Sequence, residues 1–104
     1  MLWFRIDNRL VHGQVIESWL PHLRAKTLMV ANDELAANEL RQTIMGLAIP
    51  NHISFICCPV AETTATLDQL MAADSNSHIL ILFATCADAR LAHMAGTPFG
   101  TINL

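Results

Sequence analysis

Four short apolar runs, each followed by a stretch with helical periodicity, constrain this chain more than any other feature. They are Leu2–Ile6, broken by Arg5, then Thr27–Ala31, Ile53–Cys57 and Ile79–Phe83. An antiparallel sheet with one wet face would alternate apolar and polar residues, whereas near-continuous apolar strands arise when helices cover both faces of a parallel sheet. The pattern predicts an α/β fold: an open, mainly parallel β-sheet with helices on both faces, built from βα repeats.

The intervening helices are placed by the same logic. One runs from about Gly13 to Leu23 and a second from Asp33 to Ala48, with Asn32 or Asp33 able to cap its start and Pro50 barring any continuation of the helix. In the second, Leu40, Ile44, Leu47 and Ala48 fall at helical spacing and are expected to form its buried face. A third helix starts after Pro59, from about Val60 to Ala73, with Leu67, Leu70 and Met71 on one side, and a fourth covers Ala87–Ala95. The tail Thr101–Leu104 reads as a fifth strand without a successor helix, as in a chain cut short at its C-terminus. With 104 residues, 53% of them hydrophobic and 14% charged, the chain is expected to form one domain, residues 1–104, with a real core.

Charge and composition exclude several function classes. The formal charge is −3 and no Lys/Arg cluster occurs, so the electrostatic footprint of a nucleic-acid binder is missing. The longest apolar stretch, Ile79 to Ala84, is far too short to span a bilayer, and the N-terminus lacks a signal-peptide pattern. A cytoplasmic protein is expected. Three cysteines, two of them adjacent at Cys57 and Cys58, suit neither a disulfide framework nor a zinc site. His22, His52, His78 and His93 show no ligand spacing and read as surface residues, so no metal is expected. Cys86 precedes Arg90 in a loop without glycines and reads as a buried or semi-buried thiol, while Trp3 and Trp19 are expected in or beside the core.

The run from Arg5 to Gln14 carries the chemistry. It leaves the first strand with charged residues and reaches His12 and Gly13 just before a helix, which puts an imidazole in a strand-to-helix turn. In open parallel sheets ligands bind in such turns, where first-turn N–H groups and the helix dipole favour an anion. Imidazole, with an ordinary pKa of about 6.5, is largely unprotonated in neutral solution and nucleophilic without a strong base. Phosphoryl transfer mainly requires alignment and neutralisation of the equatorial oxygens, which Arg9 and the N–H groups around Gly13 could supply. Asp7 would repel a phosphate, so its role is to orient Arg9 or an imidazole N–H, or simply to pair charges at the strand end. Arg5 can reach the site or bridge to an acidic residue. Helix capping is the simpler explanation of Gln14 and Asp33, and for Asp33 the site explains the residue equally well.

The string Arg5-Ile6-Asp7-Asn8-Arg9-Leu10-Val11-His12-Gly13-Gln14 closely resembles the active-site signature of the IIB component of the mannose, fructose and sorbose family of bacterial phosphotransferase systems. The resemblance continues through Val30–Glu34, the Leu40–Thr43 helix, the Val60–Leu70 helix and Pro98–Asn103, and runs the length of the chain. Asn8 departs from the pattern, standing where the family usually has a second Asp. Family members are longer, so the resemblance implies that the family's C-terminal third is lacking.

The resemblance implies a histidine carrier. His12 would take phosphoryl at Nδ1 from a phosphorylated IIA protein or domain and pass it to a sugar entering through membrane IIC and IID components, with Nε2 held by a neighbour. Asp7 and Arg9 would share the catalytic site, and Arg9, Gly13, Gln14, Arg5 and Asp33 would line the phosphate, Asp33 from the end of the adjacent strand. No metal or diffusible cofactor is implied at this step. A homodimer through the exposed fifth strand is a further expectation. Two other classes compete. A receiver-like module would want an acidic pair after the first strand, an aspartate after the third and a late lysine, yet the third strand ends in Cys57-Cys58-Pro59 and the single lysine is Lys26. An inactive or regulatory relative of the family is the other alternative.

Overall fold

A computed structural model describes residues 1–74, 76–97 and 102–103. Among them are five strands: β1 Leu2–Ile6, β2 Thr27–Ala31, β3 Ser54–Cys58, β4 Ile79–Phe83 and β5 Ile102–Asn103. All pair in parallel, in the order β3-β2-β4-β1-β5. The expected α/β architecture is therefore present, with β3 one residue later than its apolar run suggested. The ends of the tail, Thr101 and Leu104, and residues 98–100 before it lie outside the described residues.

Both faces of the sheet are covered. Phe4, Met29, Ile81 and Phe83 face one layer, where Leu67 of α4 (Thr63–Ala73) and Ala89 and Ala92 of α5 (Cys86–Met94) close over them. Leu28, Val30, Leu80 and Leu82 face the other, under Val15 and Leu20 of α1 (residues 13–23) and Leu35 of α2 (Asp33–Ala36). Alternate residues of β2 and β4 thus serve opposite cores, and all ten are buried. That two-sided burial is why these strands carry no polar alternation.

The second helix departs from expectation. Instead of one helix over 33–48, α2 stops at Ala36 and α3 runs over Glu39–Leu47. The break has two causes. Asn38 caps a new helix by accepting the Arg41 N–H at 3.0 Å, and the Gln42 side-chain amide donates to the Leu35 and Ala36 carbonyls at 2.8 and 3.2 Å, satisfying the end that α2 leaves open. The new helix meets the core through Met45, with Ile49 buried just after it. Leu40, Ile44, Leu47 and Ala48, expected as the buried face, are exposed instead.

Other corrections are local. His78 is half-buried, not fully at the surface: its Nδ1–H donates to the Leu23 carbonyl at 3.1 Å, and its ring lies 5.2 Å from that of Trp3. Cys86 is exposed, not buried. α5 begins there because Thr85 caps it, accepting the Asp88 N–H at 3.1 Å.

Candidate functional site

The carboxyl ends of β1 and β4 are neighbours, and the Asp7 N–H extends their ladder by donating to the Phe83 carbonyl at 2.8 Å. From there the chain leaves β1 for a helix on one face and β4 for a helix on the other. This is the topological switch at which open α/β sheets leave a crevice for ligands. His12 follows β1 at this end of the sheet.

The turn that brings His12 there is built around Leu10. Its N–H donates to the Asp7 carbonyl at 2.9 Å, closing a tight turn over Asp7–Leu10. Leu10 adopts φ 54°, a left-handed conformation that costs a non-glycine residue about 1–2 kcal/mol. Burial of its side chain with Val15 and Leu20 contributes about 1.5–3 kcal/mol, enough to offset that cost. No glycine signals this turn in the sequence, and Leu10 was not among the expected site residues. Its only trace is an apolar residue set between Arg9 and His12.

Reversed by this turn, His12 comes back onto Asp7, and its Nε2 lies 2.9 Å from Asp7 Oδ2. The same carboxylate accepts from Arg9 three times: from the backbone N–H at 3.0 Å, from Nε at 3.2 Å and from an Nη at 3.2 Å. These bonds hold the Asp7 carboxyl well below the usual carboxylate range, the Arg9 side chain having the largest effect. Partial burial opposes the shift, while the Arg9 backbone and His12 add to it. An ionised carboxylate can only accept, so Nε2 carries the proton facing it. In the neutral ring Nδ1 then holds the free lone pair. The His12 side chain is 15% exposed, that of Asp7 8% and that of Arg9 60%, so the carboxylate is enclosed while the guanidinium reaches solvent.

The remaining candidates divide. Gly13 and Gln14 open α1, whose first intrahelical bond runs from the Ile16 N–H to the His12 carbonyl at 3.2 Å, so the first-turn N–H groups lie beside His12. A side chain on Gly13 would meet nothing within 4 Å, so crowding does not explain this glycine. The middle of α1, Val15–Trp19, is π-helical, a geometry frequent near functional sites. Arg5 stacks on Trp19, its guanidinium carbon 4.4 Å from the ring centroid; its buried Nε has no hydrogen-bond partner. The acidic bridge considered for Arg5 is not among the ion pairs of the described residues.

Asp33 is not at the end of an adjacent strand. β4 lies between β1 and β2, which separates their ends by about 10 Å across the sheet. Its Oδ1 accepts the Val60 N–H at 2.9 Å, tying the ends of β2 and β3 together, while Asn32 caps α2 through the Leu35 N–H at 2.8 Å. Asp33 lines a cleft with Glu34 and Asp88, whose charge disfavours an anion. On the α1 side, Gln14, Ser18, Trp19 and His22 line a cleft of about 320 Å³ without a carboxylate. Among the described residues no group of His, Cys, Asp or Glu is placed to hold a metal ion, and no helix is long and apolar enough to cross a membrane.

A family model, the sorbose subfamily IIB component of the phosphotransferase system, matches residues 1–104. The chain belongs to this family. It is 31% identical over 100 residues to the N-acetylgalactosamine-specific phosphotransferase enzyme IIB component 2 of Escherichia coli, covering 96% of this chain and 62% of that protein. A probable phosphotransferase enzyme IIB component of Streptococcus pyogenes is 36% identical over 77 residues, 74% of this chain and 47% of that protein. The chain thus spans about half to three-fifths of these relatives. Among solved structures, an N-acetylgalactosamine IIB component from Streptococcus pyogenes superposes with a TM-score of 0.86 at 29% identity, over 98% of this chain and 61% of that one. The IIB domain of the sorbose permease from Klebsiella pneumoniae gives 0.83 at 25% identity, over 98% and 63%. This sorbose-subfamily IIB chain therefore shares the α/β fold of the family.

Proposed function

We propose that this IIB chain is a phosphoryl carrier, accepting phosphate on Nδ1 of His12 from a phosphohistidine of a IIA protein or domain. It then passes the group to a sugar through membrane IIC and IID components. The observation that carries the proposal is the Asp7–His12 contact. With Nε2 engaged by Asp7, Nδ1 is the nitrogen left to attack. As the Nδ1–P bond forms, the N–P bond of the donor breaks and its electron pair returns to the donor ring. The positive charge that develops on the His12 ring is stabilised by the Asp7 carboxylate. Arg9 binds Asp7 through Nε and one Nη, leaving its other Nη for a phosphoryl oxygen, and the first-turn N–H groups of Gly13 and Gln14 supply further donors. Arg5, held on Trp19, adds a second cation on the α1 side.

Asp33 has no direct role in this proposal, because its carboxylate is engaged at the other strand ends. Donor and product are both phosphohistidines, so the transfer is close to balanced and reversible, and it needs no cofactor. The setting proposed is the inner face of the membrane, reached through the partners. The test is intact-mass and peptide mapping after incubation with a charged IIA protein, beside His12→Ala. Acid-labile phosphate on His12 that returns to IIA supports the carrier. A charged IIA that transfers nothing to the folded chain overturns it and favours a regulatory role. Phosphorus NMR of the product assigns the nitrogen.

A further inference from the structure

The outward stripe of α3 is the largest departure from ordinary amphipathic packing in the described residues. Leu40, Ile44 and Leu47 are 70%, 58% and 83% exposed, with Thr43 and Ala48 also exposed beside them. The helix already touches the core through Met45 and lies against β3 at Gly46, where an added Cβ would sit 3.7 Å from Phe55. The stripe is thus a second apolar face.

We infer that this face is a self-association surface, on which two copies of the chain pack α3 against α3 in the same direction about a two-fold axis parallel to the helices. Spacings of four and then three residues, Leu40 to Ile44 to Leu47, match the seam of paired helices, and isoleucine between leucine layers suits two parallel helices. The flanking charges select the direction. At about 100° per residue, Glu39 and Arg41 lie on opposite sides of Leu40. Parallel two-fold packing sets the Glu39 flank of each copy against the Arg41 flank of the other, twice over. Antiparallel packing sets like against like. These balanced flanks also favour a second copy over a lipid surface, because helices that lie on membranes carry an excess of Lys and Arg. β3 is the outer strand at this edge, whereas His12 comes after β1, fourth in the order, so the association leaves His12 accessible.

Three side chains cover far less than the roughly 800 Å² per partner of a standard interface, so the dimer is weak. Sedimentation equilibrium on the whole chain, from low micromolar into the millimolar range, should show a monomer–dimer equilibrium. Ile44→Glu should lower the association constant at least about tenfold, and Leu47→Glu, at the most exposed position, gives an independent reading should Ile44→Glu disturb folding. Arg41→Glu should weaken association by setting two acidic flanks together, and adding Glu39→Arg should restore it. A monomer at every concentration, or a dimer indifferent to both stripe variants, overturns the inference. Dissociation by the stripe variants without restoration by the charge exchange overturns the parallel arrangement.

Discussion

Asp7 Oδ2 lies 2.9 Å from His12 Nε2, and the same oxygen accepts from the Arg9 guanidinium at 3.2 Å. One carboxylate therefore orients the imidazole and restrains the cation beside it. Asp7→Asn leaves a similar shape but takes away the charge that fixes the Nε2–H tautomer and grips Arg9. Phosphoryl acceptance from a charged IIA should slow by at least about 10–100-fold, the cost seen when the carboxylate that orients a metal-bound histidine is removed. A mass-spectrometric time course checks it, and an unchanged rate would show that Asp7 does not position the ring.

The same carboxylate gives stability a pH dependence of definite sign. Arg9 above all, with His12 adding, holds the Asp7 pKa below its unfolded value of about 3.9, against the effect of partial burial. Its stabilisation is then fully present above about pH 4 and is lost as the pH falls further, through the folded pKa. Thermal unfolding of the wild type and Asp7→Asn should differ most near neutrality. The gap should narrow below about pH 4. A gap constant down to pH 3 would remove the ion-pair explanation.

Leu10 combines a left-handed backbone with a buried side chain. Leu10→Ala loses the packing while retaining the strain, and should cost about 2–4 kcal/mol in urea unfolding. Leu10→Gly removes still more side chain but relieves about 1–2 kcal/mol of backbone strain. The glycine variant should therefore be no less stable than the alanine variant, an inversion of the usual order. A glycine variant clearly weaker than alanine would place the constraint in packing alone.

The three cysteines should react in a fixed order. Cys86 is exposed and Cys58 buried, while burial, with Cys58 adding, pushes the Cys57 thiol up to about 11. Alkylation of the folded protein at pH 8, followed by peptide mapping, should label Cys86 first and leave the β3 pair largely unmodified until denaturant is added. Early labelling of Cys57 would mean that the β3 edge opens readily.

Much of this protein is determined locally and was therefore legible in its sequence. The strands were visible because burial on both faces keeps β2 and β4 apolar, save for Thr27 at the start of β2, and His12 was visible because a charged strand end followed by histidine and glycine is a pattern of adjacent residues. What escaped depended on contacts between distant residues. β4 slips between β1 and β2, so Asp33 serves the β2–β3 end instead of His12. Helical spacing showed that Leu40, Ile44 and Leu47 share a face, yet spacing carries no information about which way the face turns; Asn38 and Gln42 broke the helix and Met45 took the core. The left-handed turn at Leu10 was invisible for a similar reason, because no residue in it demands that conformation. By itself the sequence determined the strands, the class of fold and the charged strand end that leads into His12 and Gly13, all of which depend on neighbouring residues. Only the tertiary structure decided which nitrogen of His12 is free, because that depends on a chain reversal held by burial of Leu10 among residues of α1.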